Sequence, residues 1–401
     1  MKVLLISNVK FRLPETASAY HQLQQYLIHI QRLGVIVNAF IADSGGMSWN
    51  INAPSAIRNF TYRLPRLIDD ANLLYYPLLL RSFYKLGNSR VSVVHHFVFI
   101  TNGTNSFSLG PLISDKISKP LVIGPAQVAH DYGYDDFRLY IGGHNNFYNY
   151  LSFNMLQFLK RFAHPLLSDA FRRTLDAADC IVVPNQAARR VYSNYVSSKK
   201  LKVIPTGTRS FSYVERDPAH YPLILMIGNL IARKGYLVAL EAMKKLLIEV
   251  PDAQLFILGS GPLQQIIQWR VKKLGVERSI VLKGRASDNE LESLLAKAWV
   301  FCHASFSEGY SSTIPEAMSA GLPVVCTEID GSDGMVVNGL NGLVVQPGDP
   351  DALAEALAEI ISNRELALKM GELSKLRSKS YDWRSVSKEY YYVYQKLSGD
   401  T

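Results

Sequence analysis

Short apolar runs alternate with longer amphipathic stretches along almost the whole chain. The runs have the length and composition of strands buried on both faces, and the stretches between them have helical spacing. Strands that each lead into a helix form parallel sheets, so the pattern predicts an α/β fold. The predicted strands are Val3–Ser7, Val35–Ala42, Val91–His95, Leu121–Gly124 and Cys180–Pro184 in the first half of the chain, and Leu223–Gly228, Gln254–Gly259, Ile280–Lys283, Val300–His303, Pro323–Thr327 and Gly342–Val345 in the second.

Two series of strands predict two doubly wound domains, whose strand carboxyl ends face a central cleft where a ligand binds. The segment Val203–Thr208 and the polar stretch up to Pro222 have turn residues and no periodicity, so we expect them to separate the domains. We therefore divide the chain into an N-terminal domain of residues 1–207, a C-terminal domain of residues 208–378 and a final segment of residues 379–401.

Two carboxylates, Glu308 and Glu316, lie eight positions apart around a small, glycine-containing turn. A buried strand is predicted before the turn and a short helix after it, so backbone N–H groups and the positive helix end point at the turn. An anion can bind there, and carboxylates accept hydrogen bonds from hydroxyl groups. The motif therefore suits a nucleotide sugar. Two alternatives stay open: Thr313 and Glu316 also fit a capping box, and Glu308 also fits a solvent-exposed charge.

A basic loop follows the first strand of the second half. Arg233 and Lys234 come after Gly228-Asn229 and directly before a predicted helix, where their charges oppose the helix dipole. This placement favours a diphosphate site over a pair of solvent-exposed charges. Gly259 follows the next strand in a turn that permits close approach of a ligand, and Gly284-Arg285 follows the strand after that, where a nucleotide base edge can bind.

Composition and charge narrow the partners. The chain has 401 residues, 48% of them hydrophobic, and a formal net charge of +9, which fits phosphorylated substrates or an anionic membrane surface. Nucleic acid is not expected, because no helix-turn-helix, RNP or zinc-finger pattern is present. The three cysteines lie in apolar runs without disulfide or metal spacing, which predicts a reducing, cytoplasmic setting. The aromatic stretches Leu67–Lys85 and Leu151–Phe162 fit either internal packing or an anionic bilayer.

Together these motifs resemble the retaining glycosyltransferases of family 4, which have the GT-B fold of two Rossmann-like domains. The resemblance covers essentially all of the second half of the chain and includes an E-x7-E motif at Glu308 and Glu316. It implies that residues 1–207 bind the acceptor and residues 208–378 the nucleotide sugar. Residues 379–401 would form a helix that returns to the N-terminal domain.

The resemblance also implies roles for individual residues. Lys234 and Arg233 would neutralise the donor diphosphate, Glu308 would bind the donor sugar, and Glu316 would bind the ribose. The leaving phosphate would deprotonate the acceptor on the same face, so that the anomeric configuration is retained. No metal and no cofactor are expected besides the nucleotide sugar itself. The remaining donor-binding residues would be Gly228, Asn229, Gly259, Gly284, Arg285, Gly309, Tyr310, Ser311, Ser312 and Thr313.

The sequence departs from the family's pattern mainly in the first half. Where the family has a histidine that touches the donor sugar, this chain has Gln127, and His130 follows three positions later. We predict His130 as a catalytic residue, and Gln127, His95 and His96 on the acceptor side. Asn229 replaces a common arginine, whose charge Arg233 would supply.

The sequence thus predicts a cytoplasmic, metal-independent, retaining hexosyltransferase that lies peripherally on the inner face of the cell membrane. Its acceptor would be a lipid-linked or membrane-associated intermediate of glycolipid or polysaccharide synthesis. Three alternatives stay open: a transferase with a soluble acceptor, a catalytically silent GT-B scaffold subunit, and a sugar-nucleotide epimerase of the same fold.

Overall fold

The computed structural model describes residues 1–7, 17–43, 58–63, 91–97, 118–127, 171–212 and 222–399. Contacts divide these residues into two units. The first unit holds the described residues up to Gly207 and those from Trp383 onward, and the second holds those from Thr208 to Asp382. Each unit contains a parallel sheet, so the predicted α/β architecture of two doubly wound sheets is confirmed.

The first unit contains a seven-stranded sheet in the order β3-β2-β1-β4-β5-β6-β7, and all of its strand pairs are parallel. Its strands are β1 (Lys2–Ser7), β2 (Ile36–Asp43), β3 (Arg58–Arg63), β4 (Val93–Phe97), β5 (Leu121–Gly124), β6 (Cys180–Val183) and β7 (Leu201–Val203). Helix α1 (Ala17–Arg32) connects β1 to β2, residues 171–177 are helical, and α2 (Gln186–Tyr192) follows β6.

Two strands of this sheet, β3 and β7, were not predicted. They lie at the two edges of the sheet, where a strand has a neighbour on one side only. Edge strands carry more polar residues than central strands, so neither Arg58–Arg63 nor Leu201–Val203 has the continuous apolar run that marks the central ones.

The second unit contains a six-stranded sheet in the order β10-β9-β8-β11-β12-β13, again with parallel pairs. Its strands are β8 (Leu223–Ile227), β9 (Gln254–Leu258), β10 (Ile280–Gly284), β11 (Val300–His303), β12 (Val324–Thr327) and β13 (Gly342–Val345). Its helices are α3 (Tyr236–Glu249), α4 (Gln264–Leu274), α5 (Asp288–Lys297), α6 (Thr313–Ser319), α7 (Pro350–Ile361) and α8 (Arg364–Ser378). The six predicted strands of the second half are confirmed.

The last helix, α9 (Trp383–Ser398), packs in the first unit, where Val386, Tyr390 and Tyr394 share a core with Tyr26 of α1. The boundary before it lies at 382/383 rather than at the predicted 378/379. Lys379–Tyr381 forms a 3-10 turn that continues α8, and the carbonyl of Tyr381 accepts a hydrogen bond from the amide of Thr208, 2.8 Å away in the second unit.

No helix in the described part of the chain is both long and apolar enough to cross a bilayer. Within the same residues, no cluster of histidine, cysteine or carboxylate side chains has the arrangement of a metal site. The predicted aromatic stretches, Leu67–Lys85 and Leu151–Phe162, lie outside the described residues.

Candidate active site

The candidate site lies at the carboxyl ends of β8 and β11, where the strand order of the second sheet reverses. From β8 the chain moves outward to β9 and β10, and β11 lies on the other side of β8. The loops that follow two such strands diverge and leave a crevice, which is where open α/β sheets bind ligands. The two loops are joined here by a hydrogen bond of 2.7 Å from the amide of Phe306 to the carbonyl of Arg233.

A buried charge cluster occupies this crevice. The side chain of Glu308 is only 6% exposed, and its Oε2 atom lies 2.6 Å from Nη1 of Arg233. The ammonium of Lys234 forms an ion pair with the other carboxylate oxygen, Oε1. The hydroxyl of Ser305 donates a hydrogen bond of 3.1 Å to the same Oε1 atom. Glu308 is therefore not a solvent-exposed loop charge, and that alternative is wrong.

The charges of this cluster follow from its burial. Burial alone would raise the pKa of Glu308, but the charges of Lys234 and Arg233 outweigh it and lower the pKa to about 2. Burial, assisted by Lys234, lowers the pKa of His303 to about 4, so this histidine is neutral at pH 7. Two cations thus share one carboxylate, which leaves a net charge of +1 on Arg233, Lys234 and Glu308.

Two glycines permit the close packing of this site. Gly235 has φ +69°, and a Cβ atom there would lie 1.9 Å from the carbonyl oxygen of Ala304. A Cβ atom on Gly331 would lie 2.4 Å from the Cβ atom of Glu308. A larger residue at either position would push apart the loops that place Lys234 and Glu308 together.

Three of the predicted donor-binding glycines, Gly228, Gly259 and Gly284, lie in loops whose backbones are hydrogen-bonded at the ends of neighbouring strands. The amide of Gly228 donates to Leu258 at 2.9 Å, and the amide of Gly259 donates to Gly284 at 2.7 Å. Arg285 extends this row, because its Nε donates to the hydroxyl of Ser260 at 2.9 Å. Asn229 lies in the first of these loops and is exposed. The structure therefore brings the three predicted loops to one edge of the sheet.

The predicted capping box at Thr313 is wrong. Helix α6 begins at Thr313 itself, its N-cap is Ser312, and no side chain caps it. The hydroxyls of Ser311 and Thr313 are enclosed, yet within the described residues neither has a hydrogen-bond partner. Buried hydroxyls are normally bonded, so the loop Gly309–Thr313 holds polar groups suited to a ligand.

Glu316 lies on the first turn of α6, and its side chain is half-buried. Burial raises its pKa to about 7, while Arg209 opposes the rise and Asp288 adds to it. No hydrogen bond to its carboxylate is made by the residues that the structure describes. The carboxyl group is thus available to accept hydrogen bonds once it is ionised.

Sequence reasoning missed several residues around these carboxylates. His303 and Ser305 flank the buried end of β11, and Arg209 forms an ion pair of 2.6 Å with Asp288 beside Glu316. Only the polar ending of an apolar strand signals the first two residues. Nothing in the sequence signals Arg209, because its partner is 79 positions away.

Three of the predicted residues, His95, His96 and Gln127, lie in the first unit. His95 is fully buried: its Nε2 donates to the carbonyl of Gly124 at 3.2 Å, and its Nδ1 accepts from the hydroxyl of Tyr394 at 2.5 Å. Since both ring nitrogens have protein partners, this arrangement favours a role in the core over the predicted acceptor contact. His96 is also buried, and burial lowers the pKa of both histidines to about 3.

Gln127 is half-buried after β5, and its carbonyl accepts a hydrogen bond of 3.0 Å from the hydroxyl of Tyr192. Its backbone is therefore held in place, while its role stays a prediction. His130, the predicted catalytic residue, lies outside the described residues.

Comparison with known proteins relates the second unit to glycosyltransferases. Residues 212–377 match the family Glycosyl transferases group 1. An uncharacterized glycosyltransferase of Methanocaldococcus jannaschii is 27% identical over 247 residues, which cover 56% of this chain and 68% of that protein. The lipopolysaccharide core biosynthesis glycosyltransferase LpsE of Rhizobium meliloti is 29% identical over 215 residues, which cover 52% of this chain and 60% of that protein.

A solved structure matches the fold over almost the whole chain. Anabaena HepE in complex with UDP has a TM-score of 0.69 at 15% identity, covering 99% of this chain and all of that chain. The chain thus has the GT-B fold of two Rossmann-like units. The family match spans nearly all of the described residues of the second unit. It supports a relationship of this chain to the glycosyltransferases of the GT-B superfamily.

Proposed function

We propose that this protein is a retaining, metal-independent hexosyltransferase that uses a nucleotide diphosphate sugar as its donor. Its acceptor is a lipid-linked or membrane-associated glycan or glycolipid intermediate, and it acts in the cytoplasm at the inner face of the membrane. The site that carries the proposal is the crevice between the β8 and β11 loops.

The observation that supports the donor most directly is the buried cluster in which two cations, Arg233 and Lys234, share the carboxylate of Glu308. A buried cluster with a net charge of +1 is costly unless an anion approaches it. A diphosphate supplies that anion, and guanidinium and ammonium groups are its usual partners. HepE, which has the same fold, binds UDP.

The surrounding groups match the rest of a nucleotide sugar. The enclosed hydroxyls of Ser311 and Thr313 would bond the phosphate and sugar, and Glu316 would accept from the ribose hydroxyls. When the diphosphate engages the two cations, the carboxylate of Glu308 is freed to hold hydroxyls of the donor sugar. The ion pairs in the structure would thus be exchanged for ligand contacts.

The chemistry follows from this charge distribution. As the bond from the anomeric carbon to the phosphate oxygen breaks, negative charge builds on the diphosphate and Lys234 and Arg233 stabilise it. The leaving phosphate then takes the proton of the acceptor hydroxyl, and the acceptor oxygen bonds to the anomeric carbon on the face that the phosphate leaves, so the configuration is retained. These cations provide the neutralisation for which other transferases use a divalent metal, which is why we propose a metal-independent reaction.

The proposed acceptor and location have weaker but independent support. The net charge of +9 suits an anionic membrane surface. LpsE, the Rhizobium relative, is named for lipopolysaccharide core biosynthesis.

The test is thermal stabilisation by a panel of UDP-, GDP- and ADP-sugars, because a ligand that binds only the folded state must raise its melting temperature. We expect one donor to stabilise the protein and Glu316→Ala to lose that shift. Glu359→Ala, which removes an exposed carboxylate on α7, is the matched control and should keep it. The donor so found should then release its nucleotide in the presence of a lipid-linked acceptor. If no nucleotide sugar stabilises the wild type, the proposed donor site is wrong.

A further inference from the structure

An open groove of about 350 Å³ lies on the second unit, outside the crevice that holds the charge cluster. Leu237 of α3 and Ile266 and Trp269 of α4 line it, together with Gly348 and Pro350. Leu237 is 38% exposed, Ile266 37% and Trp269 57%. Large apolar side chains that gather at an exposed groove indicate a contact surface rather than scattered surface residues.

Both signs of charge surround the groove, but its α4 side is basic. Helix α4 holds Arg270, Lys272 and Lys273 and no acidic residue. On the side of Gly348 and Pro350, Asp349 caps α7 and Asp351 is paired with Lys245. Arg270 is paired with Glu241 inside the groove, so this acidic side chain is neutralised. Lys272 and Lys273 are exposed, and their charges indicate that a partner bound here would be negatively charged.

Trp269 and Lys273 lie side by side on α4, a pairing that is common in proteins that bind at a membrane interface. The ammonium of Lys273 lies 4.9 Å from the centroid of the indole ring, within the range of a cation–π interaction. An indole beside a lysine presents an apolar ring and a positive charge at the same depth, which matches the boundary between acyl chains and anionic head groups.

The apolar surface continues toward the charge cluster. Phe306, two positions before Glu308, is 46% exposed. A Cβ atom on Gly348, which lines the groove, would lie 3.2 Å from the Phe306 ring. A partner bound along the groove would therefore reach the rim of the candidate active site.

We propose that the outer face of α3 and α4 binds the surface of an anionic bilayer. Trp269 and Ile266 lie in the interface, and Lys272 and Lys273 contact the lipid head groups. This contact brings the loop of Phe306 and Glu308 next to the bilayer, where a lipid-linked acceptor resides; only this choice of partner rests on the proposed function.

The first test is co-sedimentation of the full chain with vesicles of equimolar phosphatidylglycerol and phosphatidylcholine, and with vesicles of phosphatidylcholine alone. We expect binding to the anionic vesicles only, and weaker binding at high salt. Each lysine near such a surface contributes about fivefold, so Lys272→Ala/Lys273→Ala should bind about 25-fold more weakly. The control, Lys297→Ala/Lys369→Ala, removes two exposed lysines of the same unit outside the groove and should bind like the wild type.

The second test uses the fluorescence of Trp269. The other tryptophans of the described residues, Trp299 and Trp383, are buried. In a Trp49→Phe background, anionic vesicles should therefore shift the emission to the blue, and the further change Trp269→Phe should keep vesicle binding but lose that shift.

Equal vesicle binding by the two lysine variants, or a blue shift that persists in Trp49→Phe/Trp269→Phe, would overturn the proposal. So would a dimer in sedimentation velocity without lipid that Trp269→Ser dissociates, since the occupant would then be a second copy of the chain. Thermal shifts by soluble nucleotide sugars involve no vesicle. Loss of vesicle binding with those shifts intact would reject the docking surface alone, and loss of the shifts alone would reject the donor site.

Discussion

Each of the two units buries a cluster of polar side chains, and the two clusters differ in charge. In the first unit, the hydroxyls of Tyr26 and Tyr394 and the imidazole of His95 bond to one another, and the cluster is neutral. In the second, Arg233 and Lys234 share the carboxylate of Glu308, which leaves one positive charge. A neutral, bonded cluster needs no further partner, whereas a cluster with more cations than carboxylates favours the approach of an anion. The comparison therefore distinguishes a cluster that stabilises the fold from the cluster that we propose binds the donor.

The substitution Glu308→Ala should have the largest effect on the charged cluster. It leaves two cations without their common partner, so we expect the free energy of unfolding to fall by about 3 kcal/mol and transfer to be lost. Stabilisation by a nucleoside diphosphate should increase at the same time, because the carboxylate no longer competes for the cations. Chemical denaturation with and without the nucleotide measures both effects. Glu359→Ala is the control, and unchanged stability of Glu308→Ala would show that the pair is not formed.

The raised pKa of Glu316 predicts a pH dependence of stability that the neutral cluster of the first unit does not share. Its pKa rises from 4.5 to about 7 on folding, so between these values the folded state binds more protons than the unfolded state. The contribution of Glu316 to stability then falls as pH rises through this window, so Glu316→Gln should be more stable than the wild type at pH 8 by about 2 kcal/mol. The two should converge below pH 4.

Binding should show the opposite dependence. Donor affinity should increase from pH 6 to pH 8 as Glu316 ionises, and Glu316→Gln should lose this increase. His95, whose pKa falls from 6.5 to about 3 on folding, should leave the affinity profile unchanged but should make stability rise with pH up to about 6.5, opposite to the effect of Glu316. Equal stability of Glu316→Gln and the wild type at pH 8, together with a flat wild-type affinity profile, would contradict the assignment.

Tyr394→Phe tests the neutral cluster alone. It removes the hydroxyl that bonds to both Tyr26 and His95, and we expect a loss of about 1.5 kcal/mol in stability. Stabilisation by the donor should remain, because none of these residues belongs to the second unit. Urea titrations with and without the donor give both values, and a lost donor effect would mean that the clusters are coupled.

Ser311→Ala should have the smallest effect on stability. In contrast to Tyr394→Phe, it should weaken donor binding while the stability of the protein stays nearly the same. The hydroxyl has no partner within the described residues, so its removal should change the free energy of unfolding by less than about 0.5 kcal/mol. Donor affinity should fall about fivefold, since one ligand hydrogen bond contributes about 1 kcal/mol. Isothermal titration compares the two proteins, and unchanged affinity would remove Ser311 from the site.

The strands and their motifs were predictable because their signal is local. All six strands of the second unit follow from continuous apolar runs. At the start of α5, Ser287 and Glu290 form a capping box across three positions, which is an equally local arrangement. The same reasoning failed for the alternative of a capping box at Thr313 and Glu316. A three-residue spacing does not reveal at which residue a helix begins, and here the helix begins at Thr313 itself. It also failed at β3 and β7, whose position at the sheet edges removes the apolar run.

The pairing of side chains was not predictable to the same degree. The sequence places Arg233 and Lys234 on one loop and Glu308 on another as candidate ligand residues. Their ion pairs depend on the crossing from β8 to β11 and on Gly235 and Gly331. His95 shows the converse. It lies in β4 near the carboxyl end, where a ligand residue could be expected, yet a tyrosine 299 positions away supplies its partner.

The sequence by itself determined the α/β class, the order of the strands along the chain and the residue types of the donor motifs, because hydrophobic periodicity and turn chemistry act over a few neighbouring residues. Only the tertiary structure decided which polar groups are completed within the protein and which are left for a ligand. That distinction depends on burial and on the net charge of contacts between distant segments, and neither quantity is encoded in any local stretch of the chain.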